Sequence, residues 1–343
     1  MRIAVLGNLK DNAPHEPGMP DDRWDDLDSA RTTDAIVEVL RRAGHEAQFF
    51  EAQIVPPFNL VARLLEYRPD LCFNISESHY GDAREAQIPG ILEMLRIPYT
   101  GSKPLGLALA LDKALTKRVL RQHGLPTAEF QLFEHIDEPI NPEFLNEDGE
   151  LRYPLFVKPN AEGSSIGVAF NSIVRDVQTL RERVAGHLER YRQPVLVERF
   201  IKGREVLVGM VGNLINGGSD GLTFMPVSEL NYAAYGNGHP GIYTNEMKMI
   251  SAIEEYHYLC PAPLDGQQLA ELRWLAAQTF RATGCKDFAR VDFRLDENDG
   301  FRPYILEVNP LPGLNPGYSD LCLQALAMEW DHDRLISSIL DAA

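Results

Sequence analysis

Two rhythms of apolar residues divide this chain. Compact runs such as RIAVLG (2–7) and VLVERF (195–200) predict buried strands, while apolar positions returning every three or four residues, as in ARTTDAIVEVLRRAG from Ala30, predict amphipathic helices. At the start the rhythms alternate. A strand, a helix opened by Ser29 and stopped by Gly44, and a second strand in EAQFF make a βαβ beginning. PDLCFNIS (69–76) adds a strand and EAQIPGILEMLRIPYTGS (85–102) a helix-to-strand passage. Gly101, Ser102 and Pro104 then mark a change of composition, so an α/β N-terminal domain is expected over 1–101.

Beyond it, LGLALALDKALTKRVLRQHG (105–124) predicts one helix ended by Gly124 and Pro126. YPLFVK (153–158) and GVAF (167–170) predict strands on either side of a glycine-serine loop. This middle unit, 102–194, reads as small and α+β. From 195 to 343 strands dominate, in EVLVGMVG, DFARVDFRL and RPYILEV, with one long helix in DGQQLAELRWLAAQTFRATG. Two stretches fit neither rhythm: the Pro- and Asp-rich KDNAPHEPGMPDDRWDDLD (10–28) and the Gly-, Tyr- and Asn-rich LNYAAYGNGHPGIYTNEMKM (230–249). Loops this long inside compact domains are usually lids or other functional segments.

One strand carries a polar anomaly. In YILEVNPLPG (304–313), Tyr304, Leu306 and Val308 alternate with Ile305, Glu307 and Asn309, so regular pairing turns an apolar face one way and a carboxylate with an amide the other. DFARVDFRL precedes it across a turn signal at Asp296–Gly300, which predicts an antiparallel hairpin. Arg290 and Asp292 share a face of one strand, Glu307 and Asn309 of the other, and two carboxylates and an amide oxygen can converge. Mg²⁺ takes such oxygen ligands together with substrate phosphates. A structural ion pair between Glu307 and Arg290 is the plainer alternative, and it leaves Asp292 and Asn309 unexplained.

In LFVKPNAEGSSIGVAF (155–170), Lys158 stands at a strand end before Gly163, Ser164, Ser165 and Gly167. Backbone N–H groups in such a loop can cradle phosphate oxygens beside a lysine charge; a simple hairpin turn would have the same composition. No helix follows, so this is not the Gly-x-x-x-x-Gly-Lys-Ser/Thr loop. Glu198 and Glu205, taken alone, read as solvated charges near strand ends.

Composition narrows the classes. The 343 residues, 44% of them hydrophobic, suffice for two or three domains with a substantial core. A formal net charge of -17 without a compensating Lys/Arg cluster disfavours nucleic acid and anionic lipid. Cys72, Cys260, Cys285 and Cys322 lack Cys-x-x-Cys spacing and are expected to be reduced thiols, which favours the cytoplasm. MRIAVLGN lacks the apolar core of a signal peptide and no 18-residue apolar run is present, so a soluble, non-exported protein is expected, with no membrane partner.

VKPNAEGSS, VERFIKGRE, ARVDF and ILEVNPLPGL, in that order and spacing, resemble the ATP-grasp superfamily and, within it, the D-alanine:D-alanine ligases. IPYTGS, LDKALTK and GLP strengthen the likeness, which runs from about 71 to 322. The resemblance implies an ATP-grasp fold in which two α+β lobes clamp ATP, with Lys113 and Lys158 on its phosphates beside Ser165, the backbone near Glu198 and Ile201 on adenine, and Glu205 on the ribose hydroxyls. It implies two Mg²⁺ ions, or Mn²⁺, on Asp292, Glu307 and Asn309. The implied reaction phosphorylates a carboxylate and lets an amine attack the acyl phosphate, yielding an amide, ADP and phosphate. Arg290 and the Gly313 N–H would hold the oxyanion, and Ser164 and Lys248 would belong to loops closing over the site. Small-molecule carboxylate and amine substrates are the expected partners, and a homodimer is compatible with the sequence.

The amino-acid side departs from that family. The position of its ammonium-binding Glu falls on Leu27, between Asp26 and Asp28, and Met249 follows the lid lysine where Tyr is usual. SHYGDAREAQ replaces the family's His-Gly loop, leaving His79 either as a relocated substrate contact or as a locally satisfied residue. Ser319 lies one residue farther from Asn309 than the family's carboxylate-binding Ser. Asp28, His79 and Ser319 are therefore the substrate-side candidates, and a bulkier, less polar first substrate than D-alanine is expected. The rival readings are an amino-acid ligase with other substrates in metabolite or modified-peptide synthesis, an ATP-binding module without ligase chemistry, and a phosphotransferase.

Overall fold

The computed structural model describes residues 1–15, 17–232, 241–242, 244 and 258–343. β1 (Arg2–Gly7), β2 (Glu46–Glu51) and β3 (Leu71–Asn74) form a parallel sheet in the order β2-β1-β3. Ala4 and Leu6 pack with Leu60, Leu64, Ile88 and Leu92 on one face. Ile3 and Val5 pack with Ile36 and Leu40 of the helix Ala30–Arg42 on the other. Burial on both faces explains why β1 reads as an uninterrupted apolar run. The Ile3/Val5 cluster also takes in Phe288 and Leu335, Ile336 and Ile339 of the helix His332–Ala342, so the first and last segments share one core.

β4 (Phe130–Phe133), β5 (Leu155–Pro159), β6 (Ile173–Val174) and β7 (Val195–Arg199) make an antiparallel sheet in the order β4-β7-β5-β6. β7 follows the change of unit expected at 194/195, yet it pairs with β4 and β5, so the middle sheet extends to Arg199. GVAF does not form the expected strand. Gly167 sits at φ +75°, and Ala169 and Ser172 close a turn in which the Ala169 N–H donates to Ser172 Oγ. The expected single helix over 105–124 is likewise two, Pro104–Leu111 and Lys113–Gln122. Asp112 divides them because its carboxylate accepts the Leu115 N–H at 2.8 Å and starts the second helix afresh.

The remaining strands, β8 (Gly203–Gly212), β9 (Leu222–Phe224), β10 (Ser228–Leu230), β11 (Tyr258–Leu259), β12 (Phe288–Asp296) and β13 (Arg302–Asn309), build one sheet in the order β11-β10-β8-β12-β13, with β9 beside β8. The helix Gly266–Thr283 covers it, capped by Asp265 and ended by Gly284 in the left-handed region. Leu272, Leu275 and Phe280 from that helix pack onto Val206, Val208, Val291 and Phe293. Among the described residues no helix is long and apolar enough to cross a membrane.

The β12–β13 hairpin sets the site. Arg290 pairs with Asn309 and Asp292 with Glu307, as the hairpin requires, but the register then slips so that Phe293 faces Ile305. Leu306 is the extra residue of a bulge. Regular alternation, expected to bury Tyr304, Leu306 and Val308, is therefore broken: Ile305 and Val308 enter the core while Leu306 turns with Glu307 to the cleft.

Candidate active site

A cleft opens between the two antiparallel sheets, lined by Lys113, Lys158, Ser165, Glu198, Ile201, Glu205, Asp292 and Glu307. The sequence motifs thus converge from four segments. Phe156, Ile166, Phe200, Ile242 and Leu306 supply an apolar slot, with the Phe156 and Phe200 rings stacked at 6.2 Å. Glu205 accepts the Tyr232 hydroxyl at 2.6 Å and pairs with Arg294 at 2.7 Å, which fixes its carboxylate at the rim. Ser164 and Ser165 hold φ of +48° and +58°, a costly conformation for non-glycine residues that a tight, functional turn can sustain. At Gly167 any Cβ would stand 2.6 Å from Pro159 Cγ, so glycine is required there.

Glu198 is not a backbone marker alone. Its carboxylate lies 2.7 Å from Lys117 Nζ and 2.8 Å from Lys158 Nζ, and all three side chains are almost fully buried. Burial by itself would raise the Glu198 carboxyl, but the two lysine charges outweigh it and hold it down at about 2. Lys158 is raised because the Glu198 charge outweighs its own burial, whereas burial dominates at Lys117 and lowers it. Lys117 escaped the sequence reading, although it stands four residues after Lys113 and thus on the same helical face. Its Nζ also donates to Thr127 Oγ1, which donates onward to the Ile305 carbonyl of β13.

On the hairpin, Arg290 donates to both oxygens of Asp292, at 2.7 and 2.9 Å, and to Asp320 at 2.6 Å; Asn309 Nδ2 donates to Asp292 at 3.1 Å. Arg290 therefore hydrogen-bonds to Asp292 and Asp320 and not to Glu307, which lies 3.5 Å from Lys113. Lys113 also donates to the Glu162 carbonyl. Burial raises the Asp292 carboxyl to about 6 against the opposing charge of Arg290, and Glu307 and Asp320 push in the same direction as burial. Negative charge is in excess on this face, and oxygen donors surround it. That donor set suits a hard divalent cation that brings phosphate oxygens with it. Among the described residues no group of three His, Cys, Asp or Glu could hold a metal by itself, so phosphates would have to complete the coordination.

A second cavity of about 130 Å³ adjoins the cleft and shares Gly163 and Glu307 with it. Asp26, Asp28, Glu77 and Glu85 line it together with Ser164, Arg290, Asn309 and Gly313. The 10–28 stretch reaches this cavity as a packed strap. Trp24 and Leu27 bury together with Ala13, Arg23 pairs with Glu162, and Asp22 accepts the Gly167 N–H and the Tyr191 hydroxyl, each at 3.0 Å. Arg84 ties the strap down further, 2.8 Å from Asp26 and 3.3 Å from Glu162.

A family model described as the D-ala D-ala ligase C-terminus matches residues 119–341. A D-alanine--D-alanine ligase of Janthinobacterium sp. is 33% identical over 308 residues, 85% of this chain and 88% of that protein. The chain belongs to the D-alanine:D-alanine ligase family. An uncharacterized protein of Sinorhizobium fredii is 32% identical over 321 residues, covering 91% of this chain and 87% of its own length. The crystal structure of the Bacillus anthracis D-alanine--D-alanine ligase complexed with ATP shares the fold, with a TM-score of 0.70 at 23% identity over 100% of this chain and 97% of that one.

Within the D-alanine:D-alanine ligase framework the departures acquire positions. Leu27 is an apolar anchor of the strap, and it is the flanking Asp26 and Asp28 that line the cavity. His79 is buried edge-on against Trp24, with ring centroids 5.2 Å apart, and does not line the cavity. Ser319 Oγ accepts the Asn315 N–H at 2.9 Å, and a Cβ at Gly313 would come within 2.7 Å of it. Lys248 and Met249 lie outside the described residues. The cavity wall is rich in carboxyl groups. Glu85 had no signal beyond its place in the SHYGDAREAQ stretch, and Glu77, just before it, had none.

Burial raises the Asp28 carboxyl from 3.8 to about 7, a Thr32 hydrogen bond opposing this and the Asp26 charge adding to it. The folded chain thus keeps a proton that the unfolded chain releases; the associated stability is full below pH ~4 and lost as pH rises through about 7. Asp28→Asn is expected to stabilise the fold at pH 8 by ~1–3 kcal/mol, with no gain at pH 4. Urea unfolding at both pH values checks this; equal shifts at both would refute it.

Proposed function

We propose that this protein is an ATP-dependent carboxylate–amine ligase of the D-alanine:D-alanine ligase type, joining two amino acids through an acyl phosphate. One observation carries the reading: the lysine-lined cleft and the acidic cavity meet at Glu307 and Gly163, with Arg290 and Asn309 on the cavity's lining. A phosphoryl group leaving the cleft would arrive where a carboxylate in the cavity can receive it. Lys158 and Lys113 neutralise the phosphates, and the Phe156/Phe200 slot suits an adenine ring with Glu205 toward the ribose. Asp292, Glu307 and Asn309 would hold Mg²⁺, which when bound supplies charge neutralisation and orientation of the transferring group. Arg290 and the Gly313 N–H flank the position where oxyanion charge develops during amine attack. That attack breaks the acyl phosphate C–O bond and expels inorganic phosphate, and the proton the amine loses passes to the departing phosphate or to water.

Lys158→Ala should weaken binding of a non-hydrolysable ATP analogue by at least ~10-fold and amino-acid binding by less, because the lysine meets phosphate and not the second substrate. Calorimetric titration tests it, and unchanged nucleotide affinity would remove Lys158 from the site. The ligase reading itself is tested by amino-acid-dependent ADP release with mass spectrometry of the product. A phosphorylated amino acid as the end product would favour the phosphotransferase rival. The acid-rich cavity wall favours substrates other than D-alanine at one of the two positions.

A further inference from the structure

The cavity wall carries more carboxyl groups than one α-ammonium group can pair with. Asp26, Asp28, Glu77 and Glu85 line it, while the nearby cations are already engaged: Arg84 with Asp26 and Glu162, Arg290 with Asp292 and Asp320. Asp26 has a side chain only 6% exposed, and its Oδ1 has no hydrogen-bond partner. Burial, with neighbouring acids adding to it, holds Glu77 well above its usual range and Glu85 at about 7. An acid wall that holds protons for want of cations is a wall suited to cations. A metal is disfavoured, since among the described residues no three acidic or histidine side chains could hold one.

Resting on the ligase reading above, we propose that this cavity binds a small diamino acid, an α-amino acid with a second ammonium group, whose two cations are met by Asp26, Asp28, Glu77 and Glu85. The rest of the lining, with Ser164, Asn309 and Gly313, receives its carboxylate end. The volume of about 130 Å³ sets the size, because a cavity of roughly 150 Å³ admits a benzene-sized molecule. Chains of three to five carbons fit that limit. The α-ammonium group accounts for one carboxylate, and the second ammonium uses the excess that an alanine would leave unpaired.

The test uses the full chain with ATP and Mg²⁺. ADP release and product mass are measured for 2,3-diaminopropionate, 2,4-diaminobutyrate and ornithine of both hands against alanine, 2-aminobutyrate and norvaline. The best diamino acid should exceed its neutral size-mate at least ~30-fold in kcat/KM and appear in the product. Glu85→Gln and Asp26→Asn should each reduce that ratio at least tenfold. If neutral acids are ligated equally well or better, the inference is overturned while the ligase reading stands. If no amino acid elicits ADP, the ligase reading fails. In that case calorimetry of 2,4-diaminobutyrate on the wild-type chain with a non-hydrolysable ATP analogue decides the cavity: binding supports it, and no heat overturns it.

Discussion

Glu307→Gln is expected to lower turnover at least ~100-fold in a chain that still folds. The carboxylate stands opposite Asp292 on the hairpin, within 3.5 Å of Lys113, at the junction of cleft and cavity. Gln preserves its shape but removes the charge that would hold a divalent cation on the transferring phosphoryl group, and a 100-fold loss corresponds to ~3 kcal/mol of transition-state stabilisation. Because Glu307 is only partly buried, the substitution should cost the fold little. Steady-state ADP release alongside a thermal melt reads both quantities, and near-wild-type turnover in a folded variant would remove Glu307 from the metal site.

Stability should respond most strongly to Glu198→Ala. That change leaves Lys117 and Lys158 buried together without their shared carboxylate, and breaking a buried pair by removing one partner costs about 3–5 kcal/mol. The pH dependence has a definite sign. The folded state depresses this carboxyl to about 2, so its contribution is present above the unfolded value near 4.5 and disappears as pH falls through about 2. Urea unfolding at pH 7 should therefore show a loss of several kcal/mol in the variant, and the wild type should lose the same advantage between pH ~5 and 2. A loss below ~1 kcal/mol at pH 7 would mean that the lysines are discharged or reach solvent.

Part of the cleft was legible because Lys158, Glu198, Asp292 and Glu307 lie on strands, where spacing of two fixes which side chains share a face. Arg290 with Asp292 and Glu307 with Asn309 could be paired from the turn between them. The bulge at Leu306 was not legible, since one extra residue leaves no compositional mark and yet reverses the faces of everything before it. Asp320 reaches Arg290 from a helix 30 residues on, a contact that only tertiary packing creates. Local chemistry also hid two breaks: Asp112 looked like a polar residue inside a helix, and GVAF (167–170) looked like a strand. On the substrate side the acids of the strap and of the 77–85 loop are far apart in sequence, and nothing local signalled that they share a wall.

The core shared by Ile3 and Val5 with Leu335, Ile336 and Ile339 has a consequence during synthesis. At ~5–20 residues per second a ribosome needs roughly 15–60 s to pass from the helix Ala30–Arg42 to the helix His332–Ala342, and through that interval the β1 face lacks its final cover. The N-terminal domain therefore finishes folding late, and a nascent chain arrested before residue 335 should present that apolar face to holdase chaperones while its central sheet is already formed.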